Sequence, residues 1–435
     1  MRLVRGVAAA TALAVALVLL PGSAQAAWAP ARPMDQPGWT AADEVAIAVA
    51  RNGSAVTAWA GWPPDPKAPA ELRVRRISAA GHLGRVLVLS RPESSDPAHI
   101  SVAVDADGDA LVAWAAYDHA AQAWQVWARR LSRDGVPGPS LRMSQPTDSS
   151  WLPVAALTPR GKGAVVYDDG LQQVLRRVSR RSHVGRAIRL VEQGGFGGRL
   201  VATRDGDFVT AGTDADGVVV AYRLLPDGRL LTRKLSAGTP MSDSITDIGV
   251  DRRGTAHLTY RAAEADGIPH PALWTRTWAP DHPLGPARRV APRAHDVVRA
   301  TSRTDLEGDT LVAWSRLTPP ATVTLYSRVV RQDGSMGPVR RLGPIEAADV
   351  YHPVPSPAPG LAVDDDGDGV VVWPSEPELD HLVTWARRVR RDGSVGAKVM
   401  LRDTARPNAV GITPGGRARI GITTQPGRLL LRTGP

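Results

Sequence analysis

The chain has 435 residues, no cysteine and a formal net charge of +10. The lack of cysteine excludes disulfides, thiolate metal sites and a cysteine nucleophile. Only 4 of the 53 basic residues are lysine, the charge is spread evenly and no recognition motif occurs, so we do not expect nucleic acid as a partner.

The first 26 residues have the pattern of a secretory signal peptide. Arg2 and Arg5 give a positive start, Val7–Leu20 is apolar, and Ala24 and Ala26 form a small-residue cleavage site. This apolar run is too short to cross a bilayer core of about 30 Å as a helix, and no later segment is longer or free of charge. The pattern predicts a secreted, extracellular protein with no membrane span.

One pattern recurs eight times along the rest of the chain, at intervals of about fifty residues. Each copy has a glycine in a tight-turn context, as in DADGDALVAW and DDDGDGVVVW, and most copies have an aromatic residue six positions later. The glycines are Gly53, Gly108, Gly161, Gly206, Gly254, Gly308, Gly367 and Gly416. The aromatic residues are Trp59, Trp114, Tyr167, Tyr260, Trp314 and Trp373.

Each copy continues with a variable loop, an alternating segment, a second tight turn and a last short segment. The second turn has a glycine in five copies, and the third and fifth copies keep only a later glycine, at Gly185 and Gly285. The segments between turns are short and rich in Val, Leu, Trp and Tyr, which is typical of strands. No helical period occurs in the mature chain, so each copy predicts a four-stranded antiparallel unit.

Four-stranded units at this period are characteristic of propeller blades. We therefore predict an all-β, single-domain β-propeller over residues 27–435 with about eight blades, or seven if the fourth copy is irregular or the C-terminal piece is an appendage. The eighth copy lacks a fourth strand, and the segment near Pro30–Trp39 resembles fourth-strand segments elsewhere in the chain. We expect this N-terminal segment to complete the last blade and close the ring, since an open ring would leave unpaired edges.

Residues that recur once per copy favour a structural role. We expect Trp59, Trp114, Trp314 and Trp373 to fill the gaps between blades. The arginine that recurs before the second turn, as at Arg129, is expected to lie on a strand face, paired with Asp or with solvent. The Asp-rich turn DDDGDG offers alternate carboxylates to a calcium ion, which is the only cofactor that the sequence suggests. These ligands would be Asp364, Asp366 and Asp368.

A propeller has two faces of different character. The turns between strands 1 and 2 and between strands 3 and 4 share one face, which we call the turn face. The loops between strands 2 and 3 and between blades share the other, the loop face, and variable loops on a rigid scaffold concentrate binding residues. The candidate ligand-binding residues there are Trp62, Asp118, His119, Trp151, His270, His295, Asp296, His352, Glu376 and His381.

In its repeated Asp-x-x-Gly turn, the aromatic residue that follows and the second Asp-Gly turn, the chain resembles the secreted repeat β-propeller proteins of high-GC Gram-positive bacteria. The Ser-x-Asp-x-Gly-x-Thr-Trp box of sialidase-type propellers is missing, and so are the short motifs of common enzyme classes. The resemblance implies the fold and leaves the function open. We predict a monomeric, non-catalytic binding module for a carbohydrate, a cell-wall polymer or a protein. The alternative is a carbohydrate-active hydrolase or lyase that uses carboxylate and His residues from several blades.

Overall fold

The structure is a computed structural model that describes residues 28–435, apart from residues 66, 91–93, 146–148, 171, 192–198, 237–243, 263–271, 293–296, 319–321, 347–358, 379–380, 404 and 425–426. All elements within the described residues are β-strands. No helix capable of crossing a membrane is found among them. The predicted signal peptide lies outside the described residues.

The strands form eight four-stranded antiparallel sheets, which we number as blades 1 to 8. The first strand, β1 (Arg32–Pro33), belongs to blade 8. Blades 1 and 2 comprise β2 (Thr40–Val49), β3 (Ala55–Trp62), β4 (Glu71–Ile77), β5 (Leu83–Val88), β6 (Ser94–Val104), β7 (Ala110–Asp118), β8 (Ala123–Leu131) and β9 (Pro137–Arg142). Blades 3 and 4 comprise β10 (Ser150–Leu157), β11 (Gly163–Asp169), β12 (Gln172–Val178), β13 (Ile188–Val191), β14 (Arg199–Ala202), β15 (Phe208–Thr213), β16 (Val219–Leu224) and β17 (Leu230–Lys234).

The remaining blades follow the same order along the chain. Blades 5 and 6 comprise β18 (Ser244–Val250), β19 (Ala256–Ala262), β20 (Ala272–Trp278), β21 (Arg288–Arg289), β22 (Val297–Thr304), β23 (Thr310–Thr318), β24 (Thr322–Val330) and β25 (Arg340–Ile345). Blades 7 and 8 comprise β26 (Gly360–Val363), β27 (Gly369–Glu378), β28 (His381–Val389), β29 (Val399–Asp403), β30 (Ala405–Ile412), β31 (Ala418–Thr424) and β32 (Arg428–Thr433), with β1 added to blade 8.

The blades are arranged in a closed ring. The first strand of each blade contacts the first strand of the next, and β30 of blade 8 contacts β2 of blade 1. These inner strands therefore line a central channel, as expected for a propeller. The fourth copy forms a complete blade, so the chain is an eight-bladed β-propeller and the seven-blade alternative is wrong.

The N-terminal segment closes the ring, as predicted. Strand β1 pairs antiparallel with β32, placing Arg32 opposite Leu431 and Pro33 opposite Leu430. Met34 follows with only 1% of its surface exposed and belongs to the apolar cluster between blades 8 and 1. The two ends of the chain thus share one sheet, which removes an unpaired edge from the fold.

The hydrophobic core lies between neighbouring blades rather than at one centre. Clusters of buried side chains fill the gap between each blade and the next. The prediction that Trp59, Trp114, Trp314 and Trp373 pack in these gaps is confirmed, because each of them has 0% of its surface exposed. Large buried aromatic side chains of this kind dominate the hydrophobic energy of a core.

The first turns of blades 2, 5, 6 and 7 have the Asp-x-x-Gly signature, and their hydrogen bonds explain it. In blade 2 the Oδ1 atom of Asp105 accepts hydrogen bonds from the backbone amides of Asp107, Gly108 and Asp109 at 3.0, 2.9 and 2.9 Å. Gly108 has a φ of 94°, which a residue with a side chain rarely adopts. Aspartate caps the turn and glycine allows its backbone to close.

At Arg75, Arg129 and Arg328 the recurring arginine contacts backbone carbonyls, and the expected pairing with Asp or solvent is wrong there. The Nε atom of Arg129 donates to the carbonyl of Gly138 at 2.6 Å, within its own blade, and Nη1 donates to the carbonyl of Leu89 in the preceding blade at 3.2 Å. Arg328 repeats both contacts in blade 6, and Arg75 repeats them across the closure between blades 8 and 1. We call this arrangement the arginine clasp. Its acceptors are backbone carbonyls instead of carboxylates, so the arginine joins neighbouring blades.

Candidate functional site

On the loop face of blade 2, the hairpin between β7 and β8 presents a compact group of aromatic rings. The Tyr117 ring lies 5.3 Å from the His119 ring and 5.9 Å from the Trp124 ring, edge to face in both cases. Tyr117 and Trp124 face each other across the two strands. His119 is exposed, and the other two rings are half-buried. The group therefore offers ring surface to a ligand from a firmly held position.

Local hydrogen bonds hold this hairpin in shape. Asp118 Oδ1 accepts the backbone amides of Ala120 and Ala121 at 3.0 and 3.1 Å. Gln122 has a φ of 52°, and its Nε2 atom donates to the carbonyl of His119 at 2.7 Å. Asparagine and aspartate side chains commonly cap turns in this way. The predicted residue Asp118 thus orders the loop that carries the predicted residue His119.

A polar network lies beside the aromatic group. The second oxygen of Asp118 is 3.5 Å from Nη2 of Arg142. That guanidinium donates to Oε1 of Gln125 at 3.1 Å through Nη2 and at 3.3 Å through Nε. Ser144 donates to the same amide oxygen at 2.8 Å. Because the Asp118 and Arg142 side chains stay 20% and 31% exposed, both can also reach a ligand.

Blade 1 places two tryptophans at its loop end. Trp62, a predicted site residue, is 42% exposed. It lies opposite Thr40 in the pairing of β2 with β3. Thr40 directly follows the half-buried Trp39 in the sequence. The guanidinium of Arg73 lies 3.5 Å from the Trp39 ring centre and forms an ion pair with Asp35 at 2.6 Å. This cation–π contact fixes the Trp39 ring, whereas Trp62 is open to solvent.

Blade 3 adds Trp151 at the start of β10. This residue is half-buried and lies opposite Asp168. The strand has a register shift between Trp151 and Val154, and Leu152 has a φ of 51°. Such bulges redirect side chains near functional sites. Three adjacent blades therefore carry aromatic side chains at their loop ends, and we call this set the aromatic arc: Trp62, Tyr117, His119, Trp124 and Trp151.

The other predicted loop-face residues do not join the aromatic arc. Glu376 and His381 belong to blade 7, which blade 8 separates from blade 1. The Nε2 atom of His381 contacts Oδ1 of Asp403, and both side chains are partly exposed. The backbone amide of Glu376 donates to the carbonyl of Glu346 at 2.8 Å. Four further predicted residues lie outside the described residues: His270, His295, Asp296 and His352.

The predicted calcium ligands form the first turn of blade 7, on the turn face. Asp364 Oδ1 accepts the backbone amides of Asp366 and Asp368 at 3.1 and 2.9 Å. Asp368 Oδ1 accepts the amide of Arg391 at 2.9 Å. Burial raises the pKa of Asp364 to about 6, and the charges of Asp368 and Asp366 contribute. These carboxylates are arranged as turn caps, and calcium binding stays a prediction.

Sequence reasoning missed two parts of the site. Tyr117 was detectable, because a short hairpin places it opposite Trp124. Arg142 gave no signal, since it lies on β9, which pairs with β8 through a register shift. Its approach to Asp118 depends on that shift.

No protein-family model matches the chain, and neither does any curated protein sequence. Solved structures do match. The β-propeller domain of the Trilobed protease from Pyrococcus furiosus is 12% identical, with a TM-score of 0.46 over 84% of this chain and 98% of that chain. A chain from a study of two prolyl endopeptidases is 13% identical, with a TM-score of 0.51 over 89% of this chain and 55% of that chain. AofleA from Arthrobotrys oligospora is 11% identical, with a TM-score of 0.38 over 70% of this chain and 87% of that chain. At these identities the likeness is one of fold alone.

Proposed function

We propose that the chain is an exported, non-catalytic module that binds carbohydrate at the aromatic arc of its loop face. The observation that carries the proposal is the group of rings of Tyr117, His119 and Trp124, with the Asp118 carboxylate beside it. Export is inferred from the signal-peptide pattern of the first 26 residues.

Carbohydrate is the ligand class that this chemistry suits best. Sugar rings have apolar faces that pack against aromatic side chains, and hydroxyl rims that exchange hydrogen bonds with carboxylates, amides and guanidinium groups. Trp62 offers exposed ring surface. Asp118 and Arg142 offer an acceptor and a donor next to the rings of blade 2. An elongated ligand, such as a cell-wall polymer, would contact several blades along the arc.

A binding role agrees with where the perturbed carboxyl groups lie. Burial raises the pKa values of Asp105, Asp207, Asp305 and Asp364. Asp105, Asp305 and Asp364 are first-turn caps on the turn face, where their Oδ1 atoms accept backbone amides. Asp207 follows the first-turn glycine of blade 4 and forms an ion pair with Arg223 at 3.3 Å. A raised carboxyl pKa is a common mark of a general acid, and these four carboxyls have structural partners on the turn face, away from the aromatic arc. This supports binding over hydrolysis or elimination.

The test is a binding screen of the mature chain, from residue 27, against xylan, chitin oligosaccharides, β-glucan and isolated Gram-positive cell walls. We expect retention on at least one polymer and no release of reducing or unsaturated sugars. Trp62→Ala and Trp124→Ala should each weaken that binding about tenfold, which corresponds to about 1.4 kcal/mol.

A matched control is Val136→Ala, which trims an apolar side chain that is 62% exposed on the turn face. This variant should bind as the parent does. Equal binding by the parent and both tryptophan variants would contradict the proposed site. Release of sugar products would instead support the carbohydrate-active enzyme.

A further inference from the structure

A second, separate cleft opens on the turn face between blades 3 and 4, with a volume of about 420 Å³. That volume falls in the range of small-molecule sites, roughly 300–1,000 Å³. The floor is apolar: Phe208 and Val178 are 2% and 1% exposed, and Val184 and Pro226 line the sides. We call this cavity the 3–4 cleft.

The side chains that line the 3–4 cleft give it a positive charge. Its ionisable lining residues are Lys162, Arg177, Arg180 and His183, with no acidic residue among the lining residues. The nearby carboxylate of Asp227 is already paired with Arg229 at 2.8 Å. Two of the basic residues, Lys162 and Arg180, are exposed at the rim.

Comparable clefts elsewhere in the ring are lined by both basic and acidic residues. Between blades 1 and 2, a cleft of about 650 Å³ combines Arg76 and Arg133 with Asp107 and Asp134. Between blades 5 and 6, a cleft of about 90 Å³ includes Asp333 among its lining residues. Of these three clefts, the 3–4 cleft is the one with basic residues alone.

The basic charge arises where blade 3 departs from the repeat. The residue after the first-turn glycine is Asp109, Asp207, Asp309 and Asp368 in blades 2, 4, 6 and 7, but Lys162 in blade 3. In blades 2, 6 and 7 this aspartate accepts the backbone amide of a second-turn residue at 2.7, 2.9 and 2.9 Å. In blade 3, Lys162 cannot accept that hydrogen bond, and it places a positive charge at the mouth of the cleft where those four blades have a negative one.

The second turn of blade 3 departs from the repeat as well. Ser182 has a φ of 62°, in a position where blades 1, 2, 6 and 7 have Gly81, Gly135, Gly334 and Gly393. Its amide still donates to the carbonyl of Ser179 at 3.0 Å, so the turn keeps its shape. A side chain in this conformation is strained, and such strain clusters at functional sites. The same turn carries Arg180 and His183.

From these observations we propose that the 3–4 cleft binds a small carboxylic acid with an apolar body. The apolar part would lie on Phe208 and Val178, and the carboxylate would be held by Lys162 and Arg180 at the rim. A carboxylate is the complement of a basic rim, and the apolar floor selects against fully hydrophilic anions. This site is independent of the carbohydrate site on the opposite face.

The test uses 4-phenylbutyrate as the probe, with calorimetry or ligand-observed NMR on the mature chain. Butyrate lacks the ring and 4-phenylbutan-1-ol lacks the charge, so each should bind at least about tenfold more weakly than the probe. Lys162→Asp installs the residue that the repeat has in four other blades, so it should fold. It should abolish measurable binding of 4-phenylbutyrate.

The matched control is Arg417→Asp, the same charge change at the same first-turn position of blade 8. The turns are alike, since the amides of Lys162 and Arg417 both donate to a threonine hydroxyl at 3.0 Å. This variant should bind the probe as the parent does. If both variants weakened binding of the probe equally, net charge alone would explain the effect, and the proposal would be overturned. So would equal binding of the acid and the alcohol, or no binding of the probe to the parent chain.

Discussion

Asp364 caps a turn, and its buried charge also lowers the stability of the folded protein at neutral pH. Its Oδ1 atom accepts two backbone amides, while only 7% of the residue surface is exposed. Burial disfavours the ionised carboxylate and raises the pKa to about 6 from an ordinary value of 3.8. The capping function needs the oxygen acceptor and does not need the charge.

Asp364→Asn should therefore stabilise the protein at neutral and alkaline pH. The folded-state pKa lies above the unfolded one, so the stability linked to this carboxyl is full below about pH 3.8 and is lost as pH rises through about 6. Asparagine keeps an acceptor and does not titrate. We expect a gain in the free energy of unfolding of roughly 1–2 kcal/mol near pH 8, vanishing near pH 4.

Thermal melts of the parent and the variant across this pH range measure the effect. Asp107→Asn is the matched control, because Asp107 is exposed and has the position in the first turn of blade 2 that Asp366 has in blade 7. The control should follow the parent at every pH. An Asp364→Asn variant with the pH dependence of the parent would contradict a buried, titrating carboxyl at this position.

At the scale of elements, neighbouring blades are joined by arginines as well as by apolar packing. The clasp formed by Arg75, Arg129 and Arg328 reaches back to the preceding blade. A second set reaches forward to the next blade's turns, as when Arg76 donates to the carbonyl of Ser132 at 2.8 Å. Arg419 makes the same forward contact across the closure, to Ser78 at 2.9 Å. Each blade is thus fixed to both neighbours by charge-assisted hydrogen bonds.

Removing one clasp tests this link. Arg328→Ala deletes hydrogen bonds of 2.7 and 2.9 Å to Gly337 and Val290. Hydrogen bonds from charged donors contribute about 1.5–3 kcal/mol each. Because Arg328 is half-buried, solvent screening lowers this contribution, and we expect a loss of about 2–4 kcal/mol in the free energy of unfolding. Denaturant unfolding gives the value. The control Arg189→Ala changes an exposed arginine on β13 and should cost less than about 0.5 kcal/mol; equal losses would refute the clasp.

The arginine clasp also shows which contacts could not be predicted from the sequence. Burial of Trp114 was predictable, because a large aromatic residue at a fixed distance from a turn glycine must pack in the same gap of every blade. The partners of Arg129 were not, since its acceptors are backbone carbonyls and every residue has one. At the loop face, hairpin pairing could have revealed Tyr117, whereas the contact between Asp118 and Arg142 depends on a register shift.

At the scale of the whole molecule, stability depends on how the ring is closed. Strand β1 pairs with β32 over only two residues, but the segment that follows β1 adds further contacts to blade 1. The side chains of Asp35 and Arg73 form an ion pair at 2.6 Å with 6% and 4% exposure. The other Asp35 oxygen accepts the indole N–H of the buried Trp59 at 2.7 Å. The N-terminal segment therefore neutralises a buried charge in blade 1 while it completes blade 8.

Deleting residues 27–39 should destabilise the entire ring, because it removes the outer strand of blade 8 and also leaves the buried Arg73 with only the more distant carboxylate of Glu71, at 3.7 Å. Breaking a buried ion pair by removing one side costs about 3–5 kcal/mol. Asp35→Ala isolates that part, so the deletion should lower the melting temperature further than Asp35→Ala does. The difference measures the strand pairing and the burial of Met34.

Hydrogen exchange shows which strands lose stability when residues 27–39 are deleted. With β1 absent, amides of β32 and of the inner strands on both sides of the closure should exchange faster, because the ring then has a free edge between blades 8 and 1. Deletion of the same segment with unchanged melting and exchange would mean that eight blades hold together without closure. In that case the packed gaps between blades, rather than the shared sheet, would maintain the ring.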